Sequence, residues 1–428
     1  RDRVGGRVFT NNGLGCPCDL GASFIHGTKG NIFYDFAKTQ PVKLIEYDYE
    51  DSVVIVNQKV VNKDKYLNSL WKNEDILESM GEKLKQDISV RELADHARVT
   101  HKMNEMQQRS LDVYLLTDIE AEYGADASKL SGKYFSSTDE LKGEDLVFPG
   151  GYVQVLDKVA KDLSITLNWQ TTLIEQSSEE VAVASNSGQI IRAKYVICTV
   201  PLGVLKKHAI EFQPPLPVDK VQSIERLGFG TLDKLIIVFD QVFWPNNSTL
   251  YLIRDNPPNS IIFAANLNKF SKVPALMLFV PASYKTTHPD PQVVLQEGLD
   301  IIRYSFPQAS FNVVNWKLTD WGSDPFTWGS YSSFAVGSSP KDVAVVARPE
   351  GRVFFAGEHT NHRKMSTVEG AWISGITAAQ GILNHMGKIH NQEKPKNIDK
   401  QRKKEGKKQK RNERRESKKN SGKDRLSS

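Results

Sequence analysis

Gly5 and Gly6 stand directly before Arg7. Two residues without a Cβ let the backbone come close to a pyrophosphate, and the guanidinium offers it a planar charged fork. Read alone, the same three residues make an ordinary tight turn. Lys234 lies in a run that reads as strand, where it shares a face with Leu232, Ile236 and Val238. An ammonium on such a face must be paired, snorkelling or functional, because burying it is costly; an edge strand is the plainer alternative. Glu358 follows an apolar run and Gly357, and it is either a ligand-binding acid or a charge complementing the dipole of the helix that begins near Thr367. His26 sits in the small, apolar stretch 20–27, as a pocket residue or a satisfied core histidine. Glu120, in Asp118-Ile119-Glu120, reads by itself as part of a solvated helix face.

The elements that must position these residues follow from periodicity. Residues 3–10 read as a glycine turn entering a strand, and Asn31 as the cap of a short helix. Residues 42–56 alternate as strands, and 60–120 carry helix-period apolar positions among many charges. Pro149-Gly150-Gly151 breaks the chain before an amphipathic helix at 152–162. From residue 165 the pattern turns to strands at 172–176, 181–184 and 189–200, then at 235–239, 250–253, 261–264 and 275–281, with a helix at 292–305. A last strand at 353–358 feeds a long helix carrying Gly370, Ala371, Gly375, Ala378, Ala379 and Gly381, small enough for close backbone approach.

With 428 residues, 39% hydrophobic and 25% charged, the chain has the composition of a globular protein of two or three domains. No apolar stretch reaches the roughly 18–20 residues of a membrane span. Cys16, Cys18 and Cys198 make neither a disulfide framework nor zinc spacing, which favours a cytoplasmic or nuclear compartment and leaves secretion open. The net charge of +5 comes from one end. Residues 391–428 hold 16 Lys/Arg against 6 Asp/Glu, so the remainder is mildly acidic. With little apolar content, that tail is expected to be disordered, with polyanion contact as a minority role beside plain solvation.

The ordered set of motifs resembles the flavin-containing amine oxidases. The resemblance rests on Asp2-Arg3-Val4-Gly5-Gly6-Arg7, Leu20-Gly21-Ala22, Val200-Pro201-Leu202-Gly203-Val204-Leu205, Leu227-Gly228-Phe229-Gly230-Thr231-Leu232-Asp233-Lys234, Trp321-Gly322-Ser323-Asp324-Pro325, Gly329-Ser330-Tyr331-Ser332 and Phe355-Ala356-Gly357-Glu358-His359-Thr360, spread across about residues 1–385. Phe24-Ile25-His26-Gly27 before Gly30-Asn31 is most similar to the polyamine oxidases. The resemblance implies FAD as cofactor and a small-molecule amine and O2 as substrates, with an imine and hydrogen peroxide as products. It places Gly5, Gly6, Arg7, Gly21, Ala22, Thr171, Trp321, Glu358, Thr367 and Val368 around FAD. Lys234 would hold a water beside the flavin, and His26 and Glu120 would face the substrate.

An α/β fold is implied, with a Rossmann-like FAD-binding domain from residues 1–40, 145–205 and 350–388 and a mixed α/β substrate domain from 41–144 and 206–349. The family's first strand, Gly-x-Gly-x-x-Gly turn and acidic ribose ligand would precede Arg1. The chain is therefore expected to lack its true N-terminus and to hold FAD poorly. One stretch departs from the family. Residues 362–371 carry no aromatic where a tyrosine is common, and Lys364 would repel a cationic amine if it faced inward. Other readings are a lysine-specific histone demethylase, although no long helical insertion is evident, another flavin oxidoreductase, or a non-catalytic scaffold with a polyanion-binding tail.

Overall fold

Leu235-Ile236-Ile237-Val238-Phe239 is apolar at five consecutive positions, the pattern of a strand covered on both faces. In the computed structural model, which describes residues 1–139 and 141–387, this run lies in the strand Asp233–Phe239, second in a seven-stranded sheet. The sheet runs Val313–Leu318, Asp233–Phe239, Ala275–Val280, Phe263–Asn266, Thr249–Ile253, Ser52–Val56 and Lys59–Val60. Neighbours are antiparallel except Thr249–Ile253 against Ser52–Val56.

Alternation sends the two sets of side chains into different cores. Leu235, Ile237 and Phe239 pack with Leu276 and Leu278 against Val294, Ile301 and Ile302 of the helix Pro291–Ser305. Ile236 and Val238 pack with Met277, Phe279, Leu14 and Leu20 on the opposite face. Further along that face, Val54, Tyr251 and Ile253 meet Leu67, Leu70, Leu93 and Leu111 from the helices Lys63–Gly81, Val90–Thr100 and Glu105–Tyr114. Each such leucine, once fully buried, contributes about 1.5–3 kcal/mol relative to exposure.

The helices start where their sequences say they should. Ser89 and Glu92 form a reciprocal capping box, as do Asn104 and Gln107. After Tyr114 the chain does not stay α-helical: Leu115–Glu120 is a π-helical turn that runs into the short helix Ala121–Tyr123. A π turn carries more residues than an α turn, so it shifts the helical phase of the residues beyond it.

The remaining strands make smaller sheets. One runs Ile190–Ala193, Val181–Ser185, Thr171–Gln176 and Glu211–Gln213, and a separate parallel pair joins Val196–Cys198 to Val353–Phe355. The stretch 189–200, expected as one β run, is thus two strands in two sheets. Ile190 and Ile191 are exposed, whereas Cys198 is buried, and Arg352 binds the break by donating to the Lys194 carbonyl. The fold is mixed α/β with several sheets. Arg1–Ala379 forms one compact unit; of the second, Gln380–Ser428, the described part is helical to His385. The basic tail 391–428 lies outside the described residues. Among the described residues no helix is long and apolar enough to cross a membrane.

Candidate active site

Lys234 points from the sheet toward the chain's first turn. Only 5% exposed, it donates from Nζ to the Asp19 carbonyl (3.1 Å), the Gly21 carbonyl (2.5 Å) and Ser23 Oγ (2.5 Å). An ammonium has three donors, and all three are engaged here. Burial pushes its pKa down to about 8, against the pull of Asp19 and Cys18. Trp321 completes the clamp: its indole Nε1 donates to the Leu20 carbonyl at 3.0 Å. The Trp321 amide donates to Asp233 Oδ1, which also accepts from the Thr319 hydroxyl. Gly21 is required at this crossing, because a Cβ there would lie 1.8 Å from the Arg7 carbonyl.

Arg7 and Glu358 form the second anchor. Arg7 Nη1 donates to Glu358 Oε1 and to the Ser330 carbonyl, both at 2.8 Å. Glu358 Oε2 accepts from the Ser332 hydroxyl and from the Ser366 amide at 2.9 Å. Burial alone would raise the carboxyl, but Arg7, His359 and these hydrogen bonds hold it below its ordinary range. Both Arg7 bonds use one nitrogen, so the rest of the fork has no hydrogen-bond partner among the described residues.

Between and beyond these anchors lies a cavity of about 840 Å³, at the upper end of small-molecule sites, which run to roughly 1,000 Å³. Gly5, Gly6, Arg7, Gly21, Ala22, His26, Lys234, Trp321, Glu358, Thr367 and Val368 all contribute to its wall. Two of the expected residues do not. Thr171 begins a strand of the four-stranded sheet, paired with Ser185. Glu120 is fully buried, bonded to the Ser283 hydroxyl and to the Ala127 amide and 3.6 Å from Arg91. Glu122, two residues on and past the π turn, does lie on the wall, which Asp139 and Glu358 also line.

His26 Nδ1 lies 2.7 Å from Asp145 Oδ2, and Asp145 Oδ1 accepts from the Gly27 amide at 2.8 Å. Burial lowers the imidazole pKa, but the Asp145 carboxylate outweighs it and leaves the histidine raised. The absence of an aromatic in 362–371 does not leave the cavity without one. Tyr123, Phe135, Tyr331 and Phe334 line it from other segments, and the Tyr331 hydroxyl donates to the Ala121 carbonyl at 2.8 Å. Lys364 is also on the wall, with its Nζ 3.6 Å from Glu369 Oε2. Sequence reasoning does not single out Glu122, Asp145 or Ser23. Glu122 stands two residues from a carboxylate that it does single out, whereas Asp145 carries no local signal.

Residues 1–383 match the family model for flavin containing amine oxidoreductases. The chain belongs to that family. It is 31% identical to polyamine oxidase 4 of Oryza sativa subsp. japonica over 408 residues, 89% of this chain and 81% of that protein. It is 32% identical over 410 residues to lysine-specific histone demethylase 1 homolog 2 of Arabidopsis thaliana, covering 90% of this chain and 54% of the relative. Polyamine oxidase 5 of Oryza sativa subsp. japonica is 30% identical, with 82% of its length covered. The chain therefore spans about half the length of the demethylase relative and about four fifths of the oxidases.

The cofactor of a flavin-containing amine oxidoreductase is FAD, and the wall of this cavity fits it. Gly5 and Gly6 take φ of +94° and +57° beside Arg7, and a Cβ on Gly6 would meet nothing within 4 Å, so the turn is open. Thr367 and Val368 bring the N-terminus of the helix Val368–His385 to the same wall, where a helix end favours an anion. The site can thus accept a large anionic group at one end and, beside Glu122 and the tyrosines, a cation at the other.

Proposed function

We propose that this amine oxidoreductase oxidises a polyamine to an imine and reduces O2 to hydrogen peroxide. The observation that carries this reading is the charge pattern of the wall. Its arginines are matched by carboxylates: Arg1 with Asp324 at 2.6 Å, Arg7 with Glu358 at 2.8 Å and Arg363 with Asp139 at 2.9 Å. Glu122, by contrast, has no ion-pair partner among the described residues. An amino-acid substrate brings a carboxylate that an uncommitted arginine would have to meet, while a polyamine brings ammonium groups that Glu122 can meet.

FAD, when bound, accepts the two electrons removed from the amine's carbon–nitrogen unit. The chain's own residues do the rest. In this reading Gly5, Gly6, Arg7, Gly21, Ala22, Glu358, Thr367 and Val368 hold the cofactor. Trp321 and Lys234 keep residues 19–21 in place. With a pKa near 8, Lys234 Nζ can give up or regain a proton near neutrality, and it can hold a water by exchanging its bond to Ser23 Oγ. Glu122 and the aromatic side chains orient the substrate cation, while His26 sets the charge of the wall near Phe24. The parallel pair Val196–Cys198 and Val353–Phe355, followed by a glycine turn and a long helix, supports reading residues 1–40, 145–205 and 350–388 as a Rossmann-like FAD half. Residues 41–144 and 206–349 then form the substrate half.

The test is peroxide release by the FAD-loaded chain offered spermine, spermidine, their acetylated forms, a dimethyl-lysine peptide and a panel of amino acids. Turnover of the polyamines above all others is the expected result. Faster turnover of any amino acid would overturn the reading, and preference for the peptide would assign the same chemistry to a protein tail.

A further inference from the structure

The sulfur atoms of Cys16 and Cys18, both free thiols, lie 3.1 Å apart. Cys18 is fixed by the strand Cys18–Asp19, paired with Thr10–Asn11, and Pro17 restricts the link between the two thiols. Both are buried in the apolar layer formed by Leu14, Leu20, Met277 and Phe279. That layer backs directly onto Lys234, which lies on the cavity wall and draws on the carbonyl of Asp19, the residue after Cys18. The third cysteine, Cys198, is in a different core with Ile174 and Val353.

We propose that Cys16 and Cys18 form a dithiol that hydrogen peroxide oxidises to an intramolecular disulfide, a modification site lying one residue layer behind the cavity. The two thiols have different roles. The contact between the two sulfurs lowers the Cys16 thiol against the opposing effect of burial. The same contact and burial push Cys18 up. Cys16 is thus the nucleophile and Cys18 the resolving thiol.

In the first step the Cys16 thiolate attacks one peroxide oxygen. The O–O bond breaks, an S–O bond forms, and the other oxygen leaves as water after taking a proton. In the second, Cys18 sulfur attacks the sulfenic sulfur of Cys16. The S–S bond forms, the S–O bond breaks, and a second water leaves with the Cys18 proton. Two thiols have then lost two electrons and two protons, and the peroxide has become two waters. The sulfurs close from 3.1 Å to the bonded distance of about 2.05 Å, a movement of side chains already facing each other.

The experiment uses added peroxide, so it does not depend on which amine the protein oxidises. The FAD-loaded full chain is treated with hydrogen peroxide, quenched, unfolded, alkylated and mapped by mass spectrometry. The peptide holding Cys16 and Cys18 is expected to lose two hydrogens, to resist alkylation and to regain both thiols with dithiothreitol. Cys198, whose pKa burial raises to about 11, is expected to remain alkylatable, with the pair oxidised at least about tenfold faster. In Cys18→Ser, Cys16 should stop at a sulfenic acid that dimedone traps. A pair that stays fully alkylatable, that oxidises no faster than Cys198, or that goes only to irreversible oxygen adducts would overturn the proposal. The wild-type map decides it even if the variant fails to fold.

Discussion

Lys234 and Trp321, 87 positions apart in the chain, bind three consecutive carbonyls: the lysine takes those of Asp19 and Gly21, and the indole takes that of Leu20 between them. The segment carrying Gly21 and Ala22 to the cavity wall is therefore held from the seven-stranded sheet and the segment that follows its edge strand. Lys234 has a structural load as well as the chemical one proposed for it, and the two can be separated by experiment.

The Lys234→Met variant should lose a specific pH dependence of stability. The native ammonium has a pKa near 8, below the ordinary lysine value of 10.5. Between those values the unfolded chain binds a proton that the native protein does not, so raising the pH favours the native state. The stability of the parent minus that of the variant should therefore rise between about pH 8 and 10.5. Chemical denaturation at several pH values measures it, and a flat difference would show that Lys234 titrates normally. Lys220, also brought down to about 8 by burial, is common to both proteins and cancels.

Glu122→Gln and Glu120→Gln should separate substrate binding from folding. Loss of the wall carboxylate should raise KM for a polyamine about tenfold, equivalent to ~1.4 kcal/mol, with the melting temperature little changed. Glu120 touches Ser283, Ala127 and Arg91, so its substitution should lower stability by about 1–3 kcal/mol and leave KM nearly unchanged. Steady-state kinetics and thermal melts on both variants decide it; the reverse assignment would restore Glu120 to the site.

Asp145→Asn should move the titration of His26 to lower pH. The Asp145 carboxylate keeps the imidazolium favoured, so His26 lends stability below its ordinary pKa of 6.5 that is lost as pH rises through the higher native value. A protonated His26 adds positive charge to the cavity wall, so the acid limb of kcat/KM should shift downward in the variant. Imidazole NMR shifts, followed alongside the pH–rate profile, provide the check. An unmoved limb would remove His26 from the substrate's surroundings.

Gly21→Ala should abolish FAD retention or folding. Its Cβ would fall 1.8 Å from the Arg7 carbonyl, where neither backbone can yield without moving the clamp. Flavin content and melting temperature of the purified variant measure the effect, and a normal value for both would contradict the crossing described here.

Much of this architecture is legible in the sequence because periodicity and burial agree. The apolar run after Lys234 marks a strand covered on both faces, and Asn31 caps its helix by accepting from the Tyr34 amide. Two features are hidden for definite reasons. Glu120 is singled out only by resemblance, and the π turn at Leu115–Glu120, which no local sequence pattern marks, leaves it buried while Glu122 just beyond reaches the cavity. The strands at Ile190–Ala193 and Val196–Cys198 belong to separate sheets because of a break at Lys194-Tyr195 that contains neither Gly nor Pro. The aromatic wall is hidden as well, because Tyr123, Phe135 and Tyr331 arrive from three segments, none next to the stretch 362–371.

Anaerobic mixing tests whether this cavity presents a cationic amine to its FAD. The FAD-loaded protein is mixed with spermine without oxygen, and the absorbance of the oxidised flavin is followed in a stopped-flow instrument, with the Glu122→Gln variant beside it. Full loss of that absorbance is expected in the parent, with the spermine concentration giving half the maximal rate raised about tenfold in the variant. Flavin that stays oxidised in the parent at saturating spermine would contradict it.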